Sequence, residues 1–196
     1  MKPMRTSSGV TLVELLVAMT VLGILVALAA PSLADFINQR RTLAVAEQLA
    51  TDMAFARSEA GLRLQQVLMD FRADADSSCY TLHYAFEDSD CNCLRGVGTA
   101  CMSVAGHPLP EVELRTVSVP AAHGVAIAPE PGSWPSGEAA QRVAFVAPQM
   151  AAYPPSGRIA ITGNRGLKLQ LRLNGSGRTS LCAPDGARHG VPACAP

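Results

Sequence analysis

The sequence predicts an α+β protein, one long N-terminal helix followed by an antiparallel β-rich head. Three observations carry that prediction. An apolar run from Val10 to Ala30 contains a single ionisable side chain, Glu14. Beyond Pro31, apolar residues recur at spacings of three and four as far as Ala60. After Ala73 glycine and proline become frequent, and short runs alternate with period two.

A chain of 196 residues holds one domain plus an anchoring segment. Its formal net charge is zero, so no overall field draws it to nucleic acid or to an anionic membrane. Charged residues are 16%, below the roughly 25% of soluble domains, and the shortfall lies in the Val10–Ala30 run. The charge is also uneven. From Asp70 to Glu138 ten acidic residues, among them Glu87, Asp88 and Asp90, stand against three basic ones. From Pro154 onward Arg158, Arg165, Lys168, Arg172, Arg178 and Arg188 face Asp185 alone.

The first element is the apolar run. A cleaved secretory signal has an apolar core of about 7–15 residues, whereas this run has 21. About 20 residues cross a bilayer as a helix. Leu28-Ala29-Ala30-Pro31-Ser32 could still pass as a signal cleavage site. Lys2 and Arg5 hold the N-terminus in the cytoplasm by the positive-inside rule, which places the rest on the opposite side. Neither a signal nor a plain anchor explains Glu14, because a carboxylate at mid-membrane costs about 3 kcal/mol on insertion scales. Either it lies near one end of the span and reaches headgroup water, or it pairs with a cation that processing creates.

The stretch Gly9-Val10-Thr11-Leu12-Val13-Glu14-Leu15-Leu16, followed by Gly23 and Pro31, resembles the type IV prepilin and type II secretion pseudopilin family. In that family a membrane peptidase cuts after the glycine and methylates the new amine. The resemblance implies cleavage between Gly9 and Val10, N-methylation of Val10, and a role for Glu14 in filament assembly. There its carboxylate would complement the N-terminal amine of a neighbouring subunit. Val10 stands where the family usually carries Phe or Met. The implied partners are a prepilin peptidase and N-methyltransferase, other pilin or pseudopilin subunits, and the inner membrane. The implied fold is pilin-like, with half of one long helix in the membrane and half under a β-sheet.

Pro31 is a helix kink candidate, since it lacks an N–H and crowds the preceding turn. Leu33, Phe36, Ile37, Leu43, Ala46, Leu49, Ala50, Met53, Ala56 and Ala60 continue an amphipathic helix to about Gly61. Gln39, Arg40, Arg41, Glu47, Asp52, Arg57 and Glu59 form its polar side. Small residues on the apolar stripe allow a sheet to approach closely. The expected division is a leader over 1–9, a transmembrane helix over 10–30, an amphipathic continuation over 31–66 and a β-rich head over 67–196.

Strands are expected at Tyr80–Phe86, Val112–Val117, Val125–Ile127, Arg142–Val146, Arg158–Ile161 and Leu167–Asn174. The last has Leu167, Leu169, Leu171 and Leu173 on one face and Lys168, Gln170 and Arg172 on the other. Glu130–Gly137 and Ala147–Gly157 read as loops. Ala56-Arg57-Ser58-Glu59-Ala60, Phe145, Ser156-Gly157, and Leu173-Asn174 with Gly177-Arg178 and Leu181-Cys182 resemble the GspH/FimT branch of minor pilins and pseudopilins.

Six cysteines, Cys79, Cys91, Cys93, Cys101, Cys182 and Cys194, follow the anchor. An oxidising compartment makes them candidates for three disulfides, with fifteen pairings open. Cys91 and Cys93 are too close to pair with each other. Cys182 with Cys194 would close a C-terminal loop as pilins often do, while the FimT resemblance favours Cys182 with Cys79. Four thiolates from Cys79 to Cys101 could hold zinc, but C-x-C is not the usual knuckle spacing. Glu87, Asp88 and Asp90 match no EF-hand loop. No metal or cofactor is expected.

His83, His107, His123 and His189 show no ligand spacing, and there is no phosphate loop or nucleophile elbow. A structural subunit is therefore expected, not an enzyme. Some FimT proteins bind DNA through a C-terminal stretch resembling G-R-x-R. Here it reads Gly177-Arg178-Thr179-Ser180, with serine for the second arginine. Arg165, Lys168, Arg172 and Arg178 are the DNA-contact candidates, and Lys168 and Arg172 are equally the wet side of a strand.

Overall fold

A computed structural model describes residues 9–87, 89–103, 105–134, 141–188 and 190–195. Leader residues 1–8, Asp88, Glu138, His189 and the end of the loop expected at 130–137 lie outside them. Helix α1 spans Leu12–Arg63 and passes through Pro31 without ending. The chain divides into two units, Met1–Ile37 and Asn38–Pro196.

In the first unit every side chain from Val10 to Leu33 is exposed. The helix is long and apolar enough there to cross a membrane. Its two hydroxyls are spent on its own backbone, Thr20 Oγ1 donating to the Val17 carbonyl and Ser32 Oγ to that of Ala29, each at 2.8 Å. Such back-bonding suits a solvent that offers no partners.

Among the described residues the second unit holds the rest of α1 and eleven strands. These are β1 (Val67–Ala73), β2 (Ser77–Tyr84), β3 (Ser89–Cys91), β4 (Cys101–Ser103), β5 (Glu113–Pro120), β6 (Ala126–Pro129), β7 (Arg142–Val146), β8 (Ala151–Tyr153), β9 (Gly157–Thr162), β10 (Lys168–Leu173) and β11 (Thr179–Cys182). A five-stranded sheet runs β5-β2-β1-β7-β8, a four-stranded sheet β11-β10-β9-β6, and β3 pairs with β4. Every strand pairing is antiparallel.

One core joins the three layers. Ala46, Leu49, Met53, Ala56 and Ala60 of α1 are fully buried with Val67, Met69 and Phe71 of β1, Tyr80 and Leu82 of β2, and Phe145 of β7. Ile159, Ile161, Leu169 and Leu171 bring the second sheet into the same cluster. The alanines do what their size allows, letting strands approach the helix axis. On the other face of the five-stranded sheet, the 3-10 turn Cys93–Arg95 packs over β1, β2 and β5.

The structure departs from the expected elements in several places, among them β1, β3, β4 and β11, which lie where no strand was expected. The helix stops at Arg63, and β1 follows. Leu64 takes the left-handed conformation (φ 54°) that usually calls for glycine, just past the expected end near Gly61. The expected loop at 147–157 contains β8, which pairs with β7 and donates a further bond from Ala152 N to the Gly175 carbonyl at 3.1 Å; three flanking prolines obscure it. Asp52, placed on the polar side of the helix, is fully buried. Gln170, placed on the wet side of its strand, is buried too, because Glu130 and the Cys194–Ala195 segment cover it.

Candidate functional sites on the long helix and the head

Thr11 caps α1. Its hydroxyl accepts from Glu14 N at 3.3 Å, and Glu14 Oε2 accepts from Thr11 N at 3.3 Å and lies 3.4 Å from the Thr11 hydroxyl. This reciprocal T-x-x-E arrangement is a capping box, which also places a carboxylate at the positive end of the helix dipole. Gly9 and Val10 precede the cap and are exposed. Glu14 meets no cation among the described residues.

Further along, polar side chains of α1 fasten both sheets. Asn38 Nδ2 donates to the carbonyls of His123 and Gly124 at 3.0 and 3.1 Å, and its Oδ1 accepts from Asn164 N at 2.7 Å. Asp52 accepts from Tyr80 Oη at 2.7 Å, from Arg115 at 2.5 Å and from Gln48 at 3.0 Å. Burial and then the Asp52 carboxylate push the Tyr80 phenol far above its usual range. Glu59 accepts from Tyr84 Oη at 2.6 Å and pairs with Arg63 at 3.1 Å. The Tyr84 bond, aided by Arg63 against desolvation, holds the Glu59 carboxyl below its ordinary value. Arg57 Nε donates to the Ser176 carbonyl at 2.8 Å. The stretch Ala56-Arg57-Ser58-Glu59-Ala60 thus buries two alanines and sends one charged side chain to each sheet.

Sequence reasoning missed a second buried network. Asp70 on β1 receives Arg142 at 2.6 and 2.9 Å and lies 2.9 Å from His83 Nε2. His83 Nδ1 sits 3.0 Å from the Tyr84 carbonyl, so both ring nitrogens face oxygen atoms. Burial raises the Asp70 carboxyl, but the hydrogen bonds and charges of His83 and Arg142 outweigh it and leave it below the ordinary range. The signal was present: an aspartate inside Val67-Leu-Met-Asp-Phe71 needs a partner.

The cysteines pair as Cys79–Cys93, Cys91–Cys101 and Cys182–Cys194. Cys182 therefore takes Cys194, and the Cys79 alternative is not formed. Cys91, Cys101 and His83 lie within 4.8 Å of one another, but both sulfurs are committed to a disulfide and both ring nitrogens to acceptors.

The basic candidates divide. Lys168 and Arg172 share a face of β10, and Arg158 of β9 lies directly across from Arg172. Lys168 Nζ meets Glu130 at 2.7 Å and Arg158 Nε meets it at 3.2 Å. Burial opposes ionisation of Glu130, yet Lys168, Gln170 and Arg158 hold its carboxyl below the ordinary value. Arg165 sits in the turn Asn164–Gly166 with φ 53°. Arg178 is exposed in the β10–β11 connection.

The family model for the prokaryotic N-terminal methylation motif matches residues 4–30. The motif thus falls on the capped apolar helix that precedes the antiparallel sheets. Among solved structures, the type IV minor pilin FimU of Pseudomonas aeruginosa PAO1 is 18% identical over 79% of this chain and 97% of that chain, with a TM-score of 0.49. No curated protein matches.

Proposed function

We propose that the chain is a structural subunit of the GspH/FimT type, a minor pilin of a type IV pilus or a minor pseudopilin of a type II secretion system. A prepilin peptidase cuts between Gly9 and Val10 and methylates Val10. The helix anchors the subunit in the inner membrane with its head in the periplasm, then joins the filament core. One observation carries the reading: Glu14 is the sole ionisable side chain of the apolar run and has no cation of its own chain among the described residues. In a packed core it needs one from outside, and the amine freed at Val10 of a neighbouring subunit supplies it.

Mass spectrometry of the N-terminus from native membranes tests the proposal. An N-methylated Val10 is the expected result, and an intact Met1 or a cut near Ala30 overturns it. DNA capture by the head is less well supported. Lys168 is engaged by Glu130, and Arg178 is left as the exposed arginine of the Gly177-Arg178-Thr179-Ser180 stretch.

A further inference from the structure

The outer face of the four-stranded sheet carries an uneven charge arrangement. Arg158 and Arg172 are direct cross-strand partners, and like charges placed opposite each other on a sheet repel. Among the described residues a single carboxylate, Glu130, enters this network, and it serves Arg158 and Lys168. Arg172 is met by neutral acceptors, its Nε donating to Gln170 Oε1 at 2.9 Å and its Nη1 to the Ala195 carbonyl. Among the described residues, three cations on this face stand against one anion.

Beside the two arginines lies a cavity of about 360 Å³, lined by Ser133, Ser156, Gly157, Arg158, Arg172 and Leu173. Ser133 is occupied, its hydroxyl donating to the Glu130 carbonyl at 2.8 Å and accepting from Arg158 N at 3.2 Å. Ser156 is exposed at the rim. Each guanidinium has five N–H groups, and the contacts above use one of Arg158 and two of Arg172. Arg158 and Arg172 on two strands and Ser156 in a turn all line the cavity, and both guanidiniums keep N–H groups beyond those contacts.

We propose that this cavity binds an oxyanion of the phosphate class, clamped between Arg158 and Arg172. Donors arriving from several directions suit the tetrahedral oxygens of phosphate better than a planar carboxylate, and paired guanidinium forks are its common receptor. A bound anion also relieves the cross-strand repulsion, so occupancy stabilises the fold by linkage. The inference does not depend on the subunit reading, since it concerns the head alone.

The test uses the full chain in neutral detergent, with phosphate titrated against chloride at matched ionic strength. Binding is followed by calorimetry and by thermal melting. Saturable binding with a rise in Tm is expected, and Arg158→Gln or Arg172→Gln raises Kd about tenfold or more, the usual worth of a charge-assisted bond. Arg172→Lys, which keeps the charge but loses the fork, binds with intermediate affinity and covers the case in which a glutamine variant fails to fold. Arg178→Gln binds as the unaltered protein does. Absence of saturable binding, or an equal loss in Arg178→Gln, overturns the proposal. Diethyl phosphate separates the sources. Competition by it assigns the site to a phosphodiester backbone, and failure to compete assigns it to free phosphate.

Discussion

Arg57 and Ser176, 119 positions apart, are joined by a hydrogen bond of 2.8 Å from the Arg57 Nε to the Ser176 carbonyl. The bond fixes the β10–β11 connection on the helix. Gly177 completes the seat, because a Cβ there would lie 2.8 Å from the Met150 carbonyl oxygen and 2.9 Å from Arg57 Cδ, at a φ of +72°. Arg57→Ala is expected to cost about 1–2 kcal/mol, the half-exposed setting keeping it at the low end for a charged donor. Gly177→Ala costs at least as much through clash and strain, roughly 1–3 kcal/mol. Thermal melts of the two variants check both values.

Asp52 is the buried anion that ties α1 to β2 and β5. Asp52→Ala strands the Tyr80 hydroxyl and one face of the Arg115 guanidinium, which is about half exposed. A loss of about 3 kcal/mol is expected, near the lower end for breaking a buried pair because Arg115 can turn to water. Tyr80→Phe removes one bond and costs about 1–1.5 kcal/mol. Urea titration separates the two, and equal losses would show that Asp52 acts only through Tyr80.

The Asp70 carboxyl has a folded-state pKa below its unfolded value. Its stabilisation is therefore complete above the unfolded pKa, about 3.9, and drains away as the pH falls through and below that value. Asp70→Asn is expected to be clearly less stable than the unaltered protein at pH 7, and the gap should narrow towards pH 3. Denaturant melts at the two pH values measure it. A gap that is constant with pH would mean that the carboxylate charge is not what holds His83 and Arg142.

Peptide mapping without reductant should recover three linked pairs, Cys79 with Cys93, Cys91 with Cys101 and Cys182 with Cys194. Replacing Cys79 and Cys93 together by serine opens a loop with a sequence separation of 14, worth about 3 kcal/mol in the chain-entropy account. The melt should fall accordingly. A peptide joining Cys79 to Cys182 would refute the pairing.

Glu14→Ala removes one half of the capping box and the sole charge of the apolar run. Processing after Gly9 is expected to continue, since the cut lies outside the helix, while incorporation into sheared filament fractions is lost. Immunoblots of membrane and filament fractions distinguish the two effects.

The helix and most strands were legible because their periodicity is local. Leu169, Leu171 and Leu173 announce a buried face on sight, and the Val10–Ala30 run announces its own length. What was hidden depended on partners distant in sequence. Asp52 looks like a surface residue until Tyr80 and Arg115 are brought to it, and Gln170 until Glu130 crosses the strand. β8 is short and bracketed by prolines, so its pairing with β7 decides it, not its composition. The helix runs to Arg63, two residues past the Gly61 near which it was expected to end, and Leu64 supplies the left-handed turn. The cysteine spacing excluded only Cys91 with Cys93, and the two partners considered for Cys182 came from family resemblance, because loop length alone does not choose between closures of different chain segments.

The polar contacts of α1 within the head also define a route for mechanical load. Asn38, Asp52, Arg57 and Glu59 are attached at intervals along about 30 Å of helix, at 1.5 Å per residue. Tension applied along the axis from the N-terminal side pulls these attachments in shear, sharing the force among them where a peeling geometry would break them one at a time. It reaches the five-stranded sheet through Asp52 and Glu59, and the four-stranded sheet through Arg57 and the turn at Asn164. Each sheet therefore has its own grip on the pulled element, and weakening one leaves the other attached.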